Sequence, residues 1–208
     1  MDEFTDSFPD EFSDDFEDDL DLIEEIDDLE SRKVVDDPER YPATKVMIKE
    51  HKVIKKALDV LVNAVKGNVE DGMLYSDLAR FFSEYADAIH HGKEEKILFE
   101  MLKKRAPEHV LEIVKALEED HVRGRELVRK IRENASSVDR LRDYALAYAS
   151  MLRDHIVKED DGLFPAMHPY VSPDEEREML KEFEKVGGSK EELEGLVKEF
   201  GARVRSSI

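Results

Sequence analysis

The same short pattern occurs twice in this chain, as HHGKEEKILFE at residues 90–100 and as HIVKEDDGLFP at residues 155–165. Each copy places a glutamate four residues after a histidine, His90–Glu94 and His155–Glu159, and then continues into Leu-Phe. Residues four apart in an α-helix lie on the same face, one turn from each other. Both copies therefore predict a helix whose apolar face also carries an imidazole and a carboxylate.

Helical patterns account for most of the chain after residue 40. We predict four long helices over residues 42–67, 70–105, 107–134 and 137–165, separated by short loops. Ser172, followed by Pro173 and several acids, predicts the start of a further helix, and a last helix begins at Ser189. No segment has the alternating pattern of a strand. The predicted fold class is all-α, an antiparallel up-down-up-down four-helix bundle with short C-terminal helices.

The N-terminal segment differs from the rest in composition. Residues 1–31 contain 16 of the acids and no Lys or Arg, so removing them changes the formal charge of −20 to −4. Such a segment cannot bury enough apolar surface to fold alone. We therefore predict a disordered acidic low-complexity tail at 1–40, the bundle at 41–168 and a C-terminal helical extension packing on or beside the bundle at 169–208. The phenylalanines at every fourth position, from Phe4 to Phe16, leave open a motif that folds on a protein partner or docks back onto the chain's own domain.

The composition also excludes several classes of function. The strong negative charge argues against a nucleic-acid partner, because phosphate binding needs a basic surface. No apolar run approaches the roughly 18 residues of a membrane span. The chain has no cysteine, and therefore neither disulfides nor thiolate metal sites, and its acidic start lacks the pattern of a secretory signal. We expect a cytoplasmic protein.

Each predicted long helix carries one histidine on its apolar face, and the second and fourth helices add a glutamate one turn later. Any one of these histidines alone would most simply be an ordinary core residue. A buried carboxylate without a partner is much more costly. Together they need a shared partner of positive charge, and a pair of cations is the simplest. The inward residues are His51, His90, Glu94, His121, His155 and Glu159.

These residues are also predicted to lie at one level of the bundle. Side chains on neighbouring antiparallel helices meet only if they lie similarly far from the connecting loop. His51 lies about 15 residues before the end of the first helix, and His90 about 20 residues after the start of the second, a mismatch of little more than one turn. The other two loops give mismatches of at most about one turn at about 1.5 Å per residue. The spacing therefore predicts one common site.

The donor types and their order narrow the class of metal protein. Imidazole and carboxylate without thiolate suit iron, manganese or zinc. Ferritin-like di-iron bundles carry Glu-x-x-His on two helices, whereas here the histidine comes first. The segments EHKVI at 50–54, HHGKEEKILF at 90–99, EEDHVRGREL at 118–127 and HIVKEDDGLFP at 155–165 resemble the hemerythrin-like (HHE cation-binding) family, over residues 44–168.

That resemblance implies a non-haem di-iron centre, two Fe ions with an oxo or hydroxo bridge, inside a four-helix bundle. Its ligands would be the six inward residues named above, with Glu94 and Glu159 bridging. Oxygen-carrying hemerythrins use an aspartate five residues after the last histidine, so Asp160 remains an alternative to Glu159. They also have a second histidine one turn from the first on the third helix, where this chain has Leu117 and Arg125. We therefore expect one nitrogen donor fewer than in those carriers.

The remaining histidines and two tyrosines are weaker candidates. We predict His91, His109 and His168 at the surface. Tyr144 and Tyr148 fall on the predicted face of His155, where they would either donate a hydrogen bond to a bound oxygen species, replace the missing ligand, or simply pack in the core.

Three functions follow from this reading. The first is a di-iron protein that binds dioxygen or a related small ligand, in sensing, binding or iron handling. The second is a di-iron enzyme that consumes peroxide or NO. The third is an interaction protein whose acidic tail reports the state of the metal to a partner. The predicted absence of a fifth histidine disfavours reversible dioxygen carriage.

Overall fold

The chain folds into helices joined by short loops in the computed structural model, which describes residues 40–208. The described part contains no strand, in agreement with the all-α prediction. The predicted acidic tail lies outside the described residues, except for Arg40. Over residues 40–208, no helix combines the length and the apolar character needed to cross a membrane.

Four long helical segments are followed by two shorter helices. The first segment is α1 (Pro42–Lys66). The second runs without a break over residues 72–103 and comprises α2 (Gly72–Phe81), the π-helical stretches π1 (Phe82–His91) and π2 (Glu94–Leu98), and α3 (Phe99–Lys103). The third is α4 (Glu108–Glu133). The fourth covers residues 138–167 and comprises α5 (Val138–Val157), the π-helical stretch π3 (Lys158–Leu163) and α6 (Phe164–Met167). A 3-10 turn at His168–Tyr170 leads to the two shorter helices, α7 (Pro173–Phe183) and α8 (Lys190–Arg205).

The helix ends follow local sequence signals. The side chain of Asp71 accepts a hydrogen bond from the backbone N–H of Leu74 and so caps α2. The predicted cap at Ser172 is confirmed, since its side chain and that of Glu175 form a capping box. The fourth segment does not end at Pro165 as predicted but continues to Met167. The turn immediately before this proline is π-helical.

Each long segment buries its apolar stripe against two neighbours. α1 packs against α5 and π1, while α4 packs against α2 and α5. The core between them is formed by aliphatic and aromatic side chains at helical spacing, such as Ile54, Leu58 and Leu61 on α1. The same packing buries the polar residues on the inward face of each segment.

The C-terminal extension packs against α1 through both of its helices. Glu176 of α7 is buried and covers the N-terminus of α1. Its Oε2 accepts hydrogen bonds from the backbone N–H of Ala43 at 2.8 Å and of Thr44 at 3.1 Å, and its Oε1 accepts one from Thr44 Oγ1 at 2.7 Å. A distant carboxylate therefore satisfies the N–H groups that a helix start leaves without an intrahelical partner.

Replacing Glu176 by Ala is expected to lower the free energy of unfolding by about 2–4 kcal/mol, because three buried donors lose their acceptor at once. The measurement is urea unfolding of the metal-free full-length chain. Glu178→Ala, at an exposed position on the same helix, is the matched control and should change stability by less than about 0.5 kcal/mol. Equal stability of the two variants would show that this contact contributes nothing.

Candidate metal centre

Buried histidines and glutamates from all four long segments converge inside the molecule. They form two groups, and the donor atoms in each group all lie within 4.8 Å of one another. Glu94 belongs to both groups. The first group is His91, Glu94, His121 and His155, and the second is His51, His90, Glu94 and Glu159. The structure thus brings together all six residues that the sequence analysis selected as ligands, and adds His91.

Glu94 lies between the two groups. Its Oε1 is 3.2 Å from His90 Nε2, and its Oε2 is 3.2 Å from His121 Nε2. Although burial raises the pKa of Glu94, the neighbouring His90 and His121 hold it well below its ordinary value. One carboxylate therefore presents one oxygen to each half of the pocket, as a bridging ligand does.

Glu159 is placed in the same way on the fourth segment. Its Oε2 is 3.1 Å from His51 Nε2, and its Oε1 is 3.4 Å from His155 Nε2. Burial, followed by the nearby charge of Glu94, raises the pKa of Glu159 well above its ordinary value. Two carboxylates enclosed together are unfavourable unless positive charge lies between them.

Many donor atoms in this pocket have no hydrogen-bond partner. Both carboxylate oxygens of Glu94 and of Glu159, both ring nitrogens of His91 and His155, and Nε2 of His121 are buried and unpaired. An unpaired buried polar group costs on the order of 1–3 kcal/mol, and a charged group costs more. The set of residues fits cations that take these atoms as ligands.

A second layer of carboxylates lies behind the imidazoles. Each of the five buried histidines has its Nδ1 turned towards an Asp or Glu oxygen. For His51, His90 and His121 this contact is a hydrogen bond, which favours the tautomer that leaves Nε2 free to bind a metal. The pairs are His51–Asp160 at 2.7 Å, His90–Glu50 at 3.0 Å, His91–Asp87 at 3.6 Å, His121–Glu95 at 2.8 Å and His155–Asp120 at 3.4 Å.

Cations in turn hold four of these five outer carboxylates. Arg125 donates from Nε to Asp87 at 2.7 Å and from Nη2 to Glu95 at 2.5 Å, so it supports two imidazoles together. Lys158 lies 2.6 Å from Asp120, and Glu50 contacts both Lys93 and Lys190. The neighbouring His155, together with Lys158, lowers the pKa of Asp120 to about 2 despite partial burial.

The prediction that His91 lies at the surface is wrong. His91 is only 4% exposed, and its ring stacks on that of His121 with centroids 3.9 Å apart. The reason is the π-helical stretch that ends at His91, in which bonds run from residue i to i+5. Successive residues are therefore turned through a smaller angle than in an α-helix, and the adjacent His90 and His91 both reach the pocket.

The pocket consequently contains five imidazoles, and the expected shortage of one nitrogen donor is not observed. Arg125 occupies the position one turn after His121, where a further histidine was sought. It holds Asp87, the carboxylate that faces His91. The third segment lacks a second imidazole, and the second segment contributes His91 instead. The only sequence signal for His91 was that it directly follows His90 in the first repeat.

Glu159 and Asp160, the two alternatives for the bridging carboxylate, lie in different places. Glu159 is fully buried among the donors, whereas Asp160 lies outside them and contacts His51 from behind. Of the other two histidines, His109 is exposed as expected. His168 is half-buried, and its ring stacks on that of Tyr41 with centroids 3.7 Å apart.

The two candidate tyrosines differ in burial. Tyr144 is 36% exposed, so part of its side chain faces solvent. Tyr148 is buried in the apolar core, where its ring contacts that of Phe82 at 4.9 Å. Burial raises its pKa, which favours the neutral phenol. Helical spacing placed both tyrosines on the same face as His155. It could not predict which positions on that face, two turns or more from His155, are buried and which are exposed.

Comparison with known sequences gives one match. A sequence model of the family described as hemerythrin HHE cation binding domain matches residues 42–167. The matched range contains all seven inward donors and all five outer carboxylates. No curated protein and no solved structure matched the chain.

Proposed function

The chain belongs to the hemerythrin HHE cation-binding family, and on that premise we propose that it is a non-haem di-iron protein that binds dioxygen or a related small ligand. The observation that carries this proposal is the set of buried, unpartnered donor atoms around Glu94, which belongs to both donor groups, and Glu159, whose two oxygens face different histidines. Imidazole and carboxylate donors without thiolate suit iron, manganese or zinc, and membership of the family favours iron among them.

We assign the ions to the two donor groups. His51 and His90 would hold one ion, and His91, His121 and His155 the other, with Glu94 and Glu159 contributing one oxygen to each. This assignment is supported by the distances from each carboxylate oxygen to a different histidine. It leaves the His51–His90 side with one protein donor fewer, and we place the exogenous ligand there. Bound iron would supply the electrons for reversible binding of dioxygen or a related species.

The proposed scaffold is an antiparallel four-helix bundle. Contacts between neighbouring segments support opposite directions: Lys103 pairs with Glu118 at one end of the second and third segments, and Arg132 with Ser83 farther along. For the first and fourth segments, His51 contacts Asp160 and Arg142 contacts Asn68. Such a bundle delivers donors from four helices at one level.

The number of imidazoles in the pocket affects the choice between two proposed functions, reversible dioxygen binding and enzymatic turnover of peroxide or NO. The argument against reversible dioxygen binding rested on a missing nitrogen donor, and the buried His91 removes that argument. A di-iron enzyme that consumes peroxide or NO is the second candidate, since the same centre with a vacant position would serve it. The proposal that the acidic tail reports the metal state to a protein partner falls on residues outside the described part. A cytoplasmic location remains a prediction.

The test is an absorption spectrum of the chain loaded anaerobically with Fe(II) and then exposed to air. We expect about two Fe per chain, new near-ultraviolet and visible bands on oxygenation, and recovery of the starting spectrum when oxygen is removed. Steady consumption of added peroxide or NO, without a stable oxygenated spectrum, would favour the enzyme. Iron content well below two per chain would contradict the proposal.

A further inference from the structure

We propose that the C-terminal extension is part of the metal centre, with Lys190 acting through Glu50 as a positioning residue for His90. This inference rests on the proposed function, since it concerns one ligand of the proposed di-iron site. Residues 173–205, which form α7 and α8, lie beyond the range of the family match. A centre confined to the family's own helices would not need them.

A continuous chain of contacts connects α8 to the donor group. His90 Nδ1 lies 3.0 Å from Glu50 Oε2, and Lys190 Nζ lies 3.0 Å from Glu50 Oε1. Lys93, itself buried, contacts the same Oε1. When the carboxylate accepts from Nδ1–H of a neutral His90, the Nε2 atom is free to bind a metal, and this atom faces Glu94 and His51.

Two ammonium groups, those of Lys93 and Lys190, contact Glu50. Its side chain is fully buried, and an ionised carboxylate in that position is costly unless positive charge compensates it. Lys93 supplies one charge from the second segment. Lys190 supplies another from outside the bundle and is itself about one-third exposed. Loss of the Lys190 charge would weaken the carboxylate as an acceptor and loosen the imidazole that it orients.

The extension is built to bring Lys190 to this place. Gly188 has a φ of +155°, a conformation that favours glycine, and a Cβ there would overlap the side chain of Ile89. The chain can therefore lie directly against the turn that precedes His90. On the other side of Lys190, Glu194 accepts a hydrogen bond from the buried Tyr85 at 2.7 Å. Lys190 is held between these two contacts with the second segment.

A purely structural role for α8 predicts a different outcome. If α8 only covers apolar core residues, neutralising Lys190 would leave both metal affinities unchanged, or would lower both in proportion to any loss of fold. A positioning role predicts that one of the two ions is released more easily while the fold of the metal-free chain is unaffected.

The experiment compares Lys190→Met, Lys190→Arg and the wild-type full-length chain, each loaded with Fe(II) under anaerobic conditions and titrated with a competing chelator. Lys198→Met, at an exposed site on the same helix, is the matched control. We expect Lys190→Met to weaken one ion by about 3- to 10-fold, below the roughly 10- to 100-fold typical of direct outer-shell partners. Lys190→Arg and Lys198→Met should resemble the wild type. Glu50→Gln should weaken the same ion by about 10- to 100-fold.

Thermal unfolding of the metal-free variants separates positioning from folding. The inference is supported if Lys190→Met matches the wild type without metal but releases one ion early. It is overturned if Lys190→Met retains both ions like the wild type, or if any loss follows a lower unfolding temperature and also appears in Lys190→Arg. A wild-type chain that binds no metal would overturn the proposed function itself, which the other outcomes leave intact.

Discussion

Replacing Glu94 by Gln is expected to abolish stable binding of both metal ions. Glu94 is the one residue common to both donor groups, and its two oxygens face different histidines. The amide has a single carbonyl oxygen and no negative charge, so it cannot serve two cations. We expect metal affinity to fall by more than about 100-fold, beyond the range for outer-shell partners. Metal analysis after gel filtration measures this directly.

Two neighbouring glutamates serve as graded controls. Glu95→Gln alters the outer carboxylate behind His121 and should weaken binding by about 10- to 100-fold without abolishing it. Glu100→Gln changes an exposed residue on the same segment and should leave two ions bound. If Glu94→Gln retained both ions, the carboxylate would not bridge them, and the assignment of the centre would be wrong.

Replacing His91 by Ala is expected to have the second largest effect, with loss of the ion assigned to His91, His121 and His155. The imidazole is buried, stacked on His121, and has no hydrogen-bond partner for either nitrogen. Its removal takes one of three nitrogen donors from that ion, and we expect about one Fe per chain in place of two. Because the Fe–Fe pair is then lost, the near-ultraviolet bands of a bridged centre should disappear.

His109→Ala is the matched control, since His109 is an exposed histidine on α4. It should retain two ions and an unchanged spectrum. His121→Ala, which removes another donor from the same group, should reproduce the effect of His91→Ala. Two ions and a wild-type spectrum in His91→Ala would mean that this imidazole only fills space in the core.

The helices and their inward faces could be predicted because each depends on local spacing. Apolar residues three and four apart around His51 and His121 determine which side of each helix is buried, and the short loops determine which helices are neighbours. The position of each donor along the bundle axis then follows from its distance, in residues, from the nearest connecting loop. The repeated His-x-x-x-Glu pattern identified Glu94 and Glu159 for the same reason.

His91 was placed at the surface because the prediction assumed α-helical geometry, and the partial exposure of Tyr144 was missed because the prediction assumed a uniformly buried stripe. The second segment is π-helical before His91, and a π-helical stretch is rare enough that spacing alone does not reveal it. Tyr144 lies on the predicted stripe and is 36% exposed. Both errors concern angles and burial that only the packed structure determines.

Contacts between distant parts of the chain were beyond sequence patterns altogether. Glu50 and Lys190 are 140 positions apart, and Glu176 and Thr44 are 132 apart. Neither pair forms a motif. Glu50, Lys190 and Glu176 were recognisable only as charged residues on helices, for which an exposed position is the ordinary expectation.

Crystallography of the iron-loaded full-length chain, with anomalous data at the iron edge, tests the central claim most directly. The account predicts two anomalous peaks about 3–4 Å apart within the pocket, the usual separation for paired metals. The carboxylates of Glu94 and Glu159 should lie between the peaks, with His51 and His90 on one and His91, His121 and His155 on the other. A single peak, or iron bound only to surface carboxylates with Glu94 and Glu159 free of metal, would contradict it.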